Sequence, residues 1–201
     1  MADRPLFLYD LGSPYAYLAA ERVNALFAEA TGEPPEWQPI LLGGLFKAYG
    51  RESWGVGSGR EEGMRACERR ASAYGLPPLH WPEPWPANYL FAMRVATYAK
   101  QIGRAVSFSQ AAFRQAFVAG RDLSEPDNVL IAAAAAEMHP RAVLAAAERD
   151  AIKAELRQAT ERAVELGVRG VPSVIVGDEV FWGDDRLEEA AEASRAGRPA
   201  R

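Results

Sequence analysis

The chain opens on a short apolar run, Leu6-Phe7-Leu8. It then passes at Gly12-Ser13-Pro14 into a stretch where Tyr17, Leu18, Val23, Leu26 and Phe27 recur at helical spacing. This change of period predicts a strand over 4–10 and a helix over 14–30, with Ser13 at the N-cap and Pro14 at the first helical position. Gly32-Glu33-Pro34-Pro35 stops that helix, and 36–42 reads as a second strand in which Pro39 marks an edge or a bulge. Residues 43–60 hold six glycines and no sustained period, which predicts a flexible, irregular loop. Helical periods follow over 61–74, 88–102 and 107–119, with a loop of Trp and Pro at 80–86 between the first two. Ser124-Glu-Pro-Asp127 resembles a capping box and starts a helix to about Met138. Two more helical segments cover roughly 140–147 and 149–166. The pattern then returns to strands, Val171–Val176 and Glu179–Trp182, joined by a two-residue turn at Gly177-Asp178. Gly183-Asp184-Asp185 leads a last helix to about 196.

The resulting order is strand-helix-strand, a long helical block, then helix-strand-strand-helix, and the opening connection should be right-handed. Without the block this is a thioredoxin-like order. The expected architecture is therefore α/β: a thioredoxin-like fold with a large all-helical insertion, residues 1–43 and 150–201 forming the thioredoxin-like domain and 44–149 the inserted helices. A hydrophobic fraction of 49% in 201 residues supports a sizeable core. The net charge of −4 offers no basic face for a nucleic acid, and no run reaches the roughly 18 apolar residues of a membrane span. The N-terminus runs straight into a strand, so no secretory signal is expected. Cys67 is the single cysteine, which excludes an intramolecular disulfide and a Cys-x-x-Cys pair and fits a reducing cytoplasm. Lying inside a helix, it reads as a buried, idle thiol. His80 and His139 lack acidic or thiol neighbours at ligand spacing, so no metal is expected.

Candidate chemistry gathers on three loops that this topology brings to one end of the sheet. The first carries Ser13, at the place where a thioredoxin-like fold keeps its reactive cysteine. A hydroxyl there, beside free N–H groups at a helix start, suits an anion or another molecule's thiol; as a plain reading it is simply a cap. The second is Gly170-Val171-Pro172-Ser173. In that architecture the proline is cis and the residue before it offers N–H and C=O to an extended peptide, whereas a trans proline would merely start the strand. The third is Trp182-Gly183-Asp184-Asp185-Arg186. Asp184 or Asp185 is expected to cap the last helix, its N–H groups taking a ligand carboxylate and an Asp side chain an ammonium; the plain reading is two solvated acids at a helix start. Together the loops outline a glutathione site, with the thiol at Ser13, the backbone at Val171 and the γ-glutamyl end at Asp184 and Asp185. Asn88 reads as an N-cap, and Trp81 and Trp85 as the wall of an apolar acceptor pocket or as packing.

These features carry a family resemblance. The sequence resembles the 2-hydroxychromene-2-carboxylate isomerases, relatives of the kappa-class glutathione transferases in the DsbA-like thioredoxin superfamily. The matching stretches run from Phe7 to Leu18, over Tyr74-Gly75-Leu76-Pro77, over Gly170-Val171-Pro172-Ser173, and from Gly177 to Leu187. The resemblance implies a cytosolic homodimer that binds glutathione. Ser13 would be the catalytic residue at the glutathione sulfur, with Val171, Pro172, Asp184 and Asp185 completing the cofactor site. It implies Asn88 at the mouth of the active site; Tyr15, Trp81 and Trp85 are expected, as aromatic residues, to join it on the aromatic carboxylate substrate. The segment Tyr49-Gly50-Arg51-Glu52-Ser53-Trp54-Gly55 departs from the family, which has a Gly-Asn-x-x-Pro-like loop and a downstream lysine here.

The activity so implied is reversible addition of the glutathione thiolate to a 2-hydroxychromene-2-carboxylate. Ring opening and rotation about a temporarily single bond follow, and elimination gives a trans-benzylidenepyruvate. Arginines near the pocket would hold the substrate carboxylate. Two alternatives stand beside it: a kappa-like glutathione transferase acting on another electrophile, and a non-catalytic thioredoxin-fold module that binds extended peptides at the Val171-Pro172 edge. A dithiol oxidase is excluded, because Ser13-Pro14-Tyr15-Ala16 holds no sulfur.

Overall fold

The computed structural model of the chain describes residues 4–197. Strand β1 (Leu6–Tyr9) leads into helices α1 (Pro14–Ala20) and α2 (Val23–Thr31), and β2 (Glu36–Pro39) returns parallel to β1. The chain re-enters the sheet far downstream through the hairpin of β3 (Ser173–Val176) and β4 (Glu179–Trp182), with β3 antiparallel to β1. The four-stranded order is β2-β1-β3-β4. Between the two halves run α3 (Leu42–Tyr49), α4 (Arg60–Ala73), α5 (Leu90–Gln101), α6 (Ala105–Phe117), α7 (Pro126–Ala135), α8 (Pro140–Ala147) and α9 (Asp150–Glu165); α10 (Leu187–Ala196) ends the described chain. This is the expected thioredoxin-like α/β fold with its helical insertion.

Strand alternation divides the core into two layers. Phe7, Tyr9, Trp37, Val174 and Phe181 face α1, α2, α10 and the inserted helices, while Leu8 and Ile175 face Leu45 of α3 and Ala159 and Ala163 of α9. The first layer is aromatic. Trp37 meets Phe7 edge-on at 4.9 Å, and Phe113 of α6 lies 5.9 Å from Tyr9. The Tyr9 hydroxyl and Ser109 hydroxyl of α6 are 2.6 Å apart, so the insertion is tied to the central strand by a polar bond as well as by packing.

Three local expectations are corrected. The helix expected over 14–30 breaks at Glu21 and Arg22, where the Arg22 N–H bonds the Ala19 carbonyl instead of continuing the helical register. The Arg22 guanidinium is drawn away to the Asp184 carbonyl and the Glu188 carboxylate at the start of α10, and Glu21 pairs with Arg114 of α6. The stretch expected to be irregular from residue 43 contains α3 and a 3-10 turn at Trp54–Val56. Packing overrides the poor helix propensity of Gly43 and Gly44. A Cβ on Gly44 would lie 2.7 Å from a methyl of Thr160 in α9, and the Thr160 hydroxyl accepts the Leu41 N–H at 2.9 Å, so α9 both needs the glycine and secures the start of α3. Finally, Ser124 does not cap α7. Its N–H and hydroxyl bond Asp122, and Pro126 begins the helix after an uncapped Glu125.

Candidate active site

Ser13 occupies the N-cap of α1, with Pro14 following at the first helical position. Its backbone is extended, its Oγ accepts the Ala16 N–H at 3.2 Å, and its hydroxyl donates to the Val171 carbonyl at 3.4 Å. The Val171–Pro172 peptide bond is cis. The Gly183 N–H donates to the Pro172 carbonyl at 3.0 Å, which ties the third loop to the second. The three loops expected to converge therefore do so, within direct contact.

Two concavities flank this junction. One is a cleft of about 320 Å³ lined by Tyr15, Arg70, Val171, Pro172, Trp182 and the Gly183–Asp185 turn. Its wall depends on Gly170, where a Cβ would fall 2.6 Å from the Trp182 indole nitrogen. Asp184 and Asp185 differ sharply within it, and neither caps α10, which starts after a 3-10 turn at Asp184–Arg186. Asp184 is 1% exposed; its carboxylate accepts from Arg70 at 2.6 Å and from the Tyr74 hydroxyl at 2.9 Å. Burial pushes its pKa up, opposed by the Tyr74 bond and the Arg70 charge. Asp185 is 57% exposed and reaches the other Arg70 nitrogen at 3.3 Å. An open carboxylate thus stands beside a guanidinium whose far side is anchored by a buried one.

The other concavity is a cavity of about 390 Å³. Ser13 and Asp10 lie on its wall with Leu42, Trp54, Trp85 and Tyr89. Trp85 is fixed by donating its indole N–H to the Gly12 carbonyl at 3.1 Å, and Arg60 donates to the Trp85 carbonyl. Asn88 lies exposed on the same wall, its side-chain oxygen accepting the Leu90 N–H at 3.1 Å. Trp81 sits one layer behind, 4.8 Å from the Trp85 ring, with its N–H on Glu68, and is not part of the lining. Tyr15 belongs to the cleft and meets Trp54 edge-on at 6.0 Å across the divide. The expected arginine for a substrate carboxylate is not found there: among the described residues lining the cavity, none is Lys or Arg.

Asp10, Trp54, Tyr89 and Arg70 are site residues the sequence reading missed. Asp10 had a signal, an acid between a strand end and Gly12-Ser13. Trp54 lies in the segment that departs from the resembled family, so the departure itself builds the cavity wall. Cys67 is buried on α4 near Tyr15, and burial pushes its thiol up to about 12.

Residues 6–194 match the DsbA-like thioredoxin domain. The chain belongs to that family. Within it, the sequence is 29% identical over 185 residues to a 2-hydroxychromene-2-carboxylate isomerase of Sphingobium xenophagum, covering 90% of this chain and 93% of the relative. It is likewise 29% identical over 199 residues to the enzyme of that name from Pseudomonas putida, covering 90% and 89%. A solved 2-hydroxychromene-2-carboxylate isomerase superposes with a TM-score of 0.83 at 23% identity, over 94% of this chain and 93% of the other. The DsbA-like domain here carries Ser13-Pro14-Tyr15-Ala16 at its helix start. None of its described helices is long and apolar enough to cross a membrane.

Proposed function

We propose that this chain is a glutathione-dependent isomerase of the cytoplasm. It would act on an aromatic compound of the 2-hydroxychromene-2-carboxylate type, the compound in its relatives' names, and interconvert its cis and trans forms. The observation that carries the reading is the position of Ser13 at the seam between the cleft and the aromatic cavity. The residues of the cleft fit glutathione: the Val171 backbone at the cis-proline turn before β3 for the tripeptide backbone, the open Asp185 carboxylate for the ammonium, and Arg70 for the adjacent carboxylate. Glutathione bound there supplies a thiol that adds to a conjugated double bond and leaves again, so that the bond is single long enough to rotate.

The chain's own residues do the rest. The Ser13 hydroxyl turns from the Val171 carbonyl toward the sulfur and stabilises the thiolate by a charge-assisted hydrogen bond. Trp54, Trp85 and Tyr89 hold a flat ring against the sulfur and keep water away. Asn88 leaves its amide N–H groups free at the mouth for a substrate oxygen, because its own oxygen holds the Leu90 N–H. The homodimer implied by the family resemblance belongs to the same proposal and predicts twice the chain mass in sedimentation.

Calorimetric titration with reduced glutathione, paired with an absorbance assay on a chromene carboxylate, tests the reading. Binding in the micromolar-to-millimolar range, weakened about tenfold or more in Asp185→Ala, is expected, since hydrogen bonds to charged groups are worth about 1.5–3 kcal/mol. Turnover should leave the glutathione pool undiminished. A conjugate that accumulates marks a transferase instead, and a native protein that binds no glutathione ends the isomerase reading.

A further inference from the structure

We infer that Asp10 is a specificity-determining residue of the acceptor cavity, selecting aromatic compounds that bring a neutral hydroxyl to it and rejecting those that bring an anion. The inference rests on reading that cavity as the acceptor's side of the site. Asp10 ends the loop side of β1, is 8% exposed and lies on the cavity wall. Each of its oxygens accepts one backbone N–H, Oδ1 from Gly12 and Oδ2 from Leu42, both at 2.8 Å. These bonds pin the carboxylate between the Ser13 loop and the start of α3. Burial raises the Asp10 pKa, but with each oxygen accepting a backbone N–H the ionised form is the one this geometry suits. Such a carboxylate has a second acceptor position on each oxygen and no proton to donate.

Apart from the Tyr89 hydroxyl, which is buried from solvent and has no hydrogen-bond partner among the described residues, the remaining polar side chains on the wall are already engaged on their acceptor sides. The Ser53 oxygen takes the Gly55 N–H, the Asn88 oxygen takes the Leu90 N–H, and Ser13 is bonded as described. The rest of the wall is aliphatic or aromatic, and no described lining residue carries a positive charge. A hydroxyl entering this space meets an acceptor held in place by two backbone donors. A carboxylate entering it meets a like charge in apolar surroundings with no compensating cation, where repulsion is strong. A compound carrying both groups would enter hydroxyl first and leave its carboxylate at the mouth, by Asn88.

The test follows the indole N–H signals of Trp54 and Trp85 by NMR at neutral pH, in the full chain without glutathione. The probes are 2-naphthol, 2-naphthoate and 2-methoxynaphthalene. 2-Naphthol should bind about tenfold or more tightly than 2-naphthoate, the scale of one hydrogen bond to a charged group. It should also bind more tightly than the methyl ether, which cannot donate. Asp10→Asn should shrink the naphthol-to-naphthoate ratio to about threefold or less and leave the ether within about twofold, as loss of a single bond requires. Naphthoate binding as tightly as naphthol to the native chain overturns the inference whether or not the variant folds. So does a variant that weakens all three probes equally, or a native cavity that takes none of them. Because glutathione is absent, a naphthol preference survives failure of the glutathione titration, and the two ideas fail separately.

Discussion

The Ser13 hydroxyl donates to the Val171 carbonyl across 3.4 Å, joining the loop after β1 to the start of β3 over 158 residues of chain. The bond is long for an O–H···O contact, whose usual length is about 2.7–2.8 Å. A stronger acceptor arriving beside it, such as a thiolate, can take the proton at little cost. The seam between cleft and cavity is therefore held by a weak, exchangeable contact.

Ser13→Ala separates the two roles of this residue. Loss of the Ala16 cap should lower stability by about 1 kcal/mol. Loss of the donor should lower glutathione-dependent turnover by about 10²-fold or more, the scale of removing one preorganised hydrogen bond at a reacting centre. Thermal melts beside turnover and the ultraviolet thiolate band of bound glutathione read these effects apart. A variant that keeps full activity removes Ser13 from the chemistry.

Gly63 of α4 packs against the face of Trp54, and a Cβ there would fall 2.3 Å from the ring. Gly63→Ala gains up to about 1 kcal/mol of helix propensity yet must push the indole toward the cavity, with an overpacking cost of about 1–3 kcal/mol. The expected result is a modest loss of stability together with a raised KM for the aromatic acceptor. Glutathione affinity should hold, because Trp54 lines the cavity and not the cleft. An unchanged acceptor KM would show that Trp54 can yield away from the cavity.

What the sequence disclosed and what it hid follow one physical division. Ser13 at an N-cap, Pro172 at a strand start and the turn at Gly177 are set by backbone rules over a few residues, so they could be read directly. Helix α3 could not, because Gly43 and Gly44 argue for a loop until α9 supplies the packing that requires Gly44. Missing α3 also hid the Leu42 N–H that holds Asp10. The Arg70–Asp184 pair joins positions 114 apart, and no local pattern reports such a partner. The same pair explains why Asp184 does not cap the last helix.

Burial raises the pKa of Asp10 above its ordinary 3.8, against two backbone N–H bonds that lower it. A carboxyl raised in the folded state binds more protons there than when unfolded, between the two pKa values. Its contribution to stability is therefore greatest at low pH and declines as pH rises from about the ordinary carboxylate range through the folded value. Urea unfolding of the native chain and Asp10→Asn across that range should show the native chain losing stability relative to the variant as pH increases, then levelling. The opposite slope would mean that the Gly12 and Leu42 bonds outweigh burial.

Cys67 decides where the sulfur of any thiol chemistry comes from. It is fully buried on α4, and its thiol is pushed up to about 12 by burial; the neighbouring Tyr15 hydroxyl lowers it and the Asp184 charge raises it. Since the thiolate is the reactive form, both its scarcity near neutral pH and the lack of access protect the group. Iodoacetamide at pH 8 should alkylate native Cys67 about 10³-fold or more slowly than free glutathione, and at an ordinary rate once urea unfolds the chain. Mass spectrometry of the peptide holding Cys67 measures both rates. Cys67→Ala removes only a small buried group, so glutathione-dependent activity should stay within about threefold of the native value, with about 1 kcal/mol lost for the vacated volume. Rapid native labelling, or activity abolished in Cys67→Ala, would place the working sulfur inside the chain. Slow labelling with retained activity leaves Ser13 facing a thiol that must arrive from solution, through the cleft of Val171, Trp182 and Asp185.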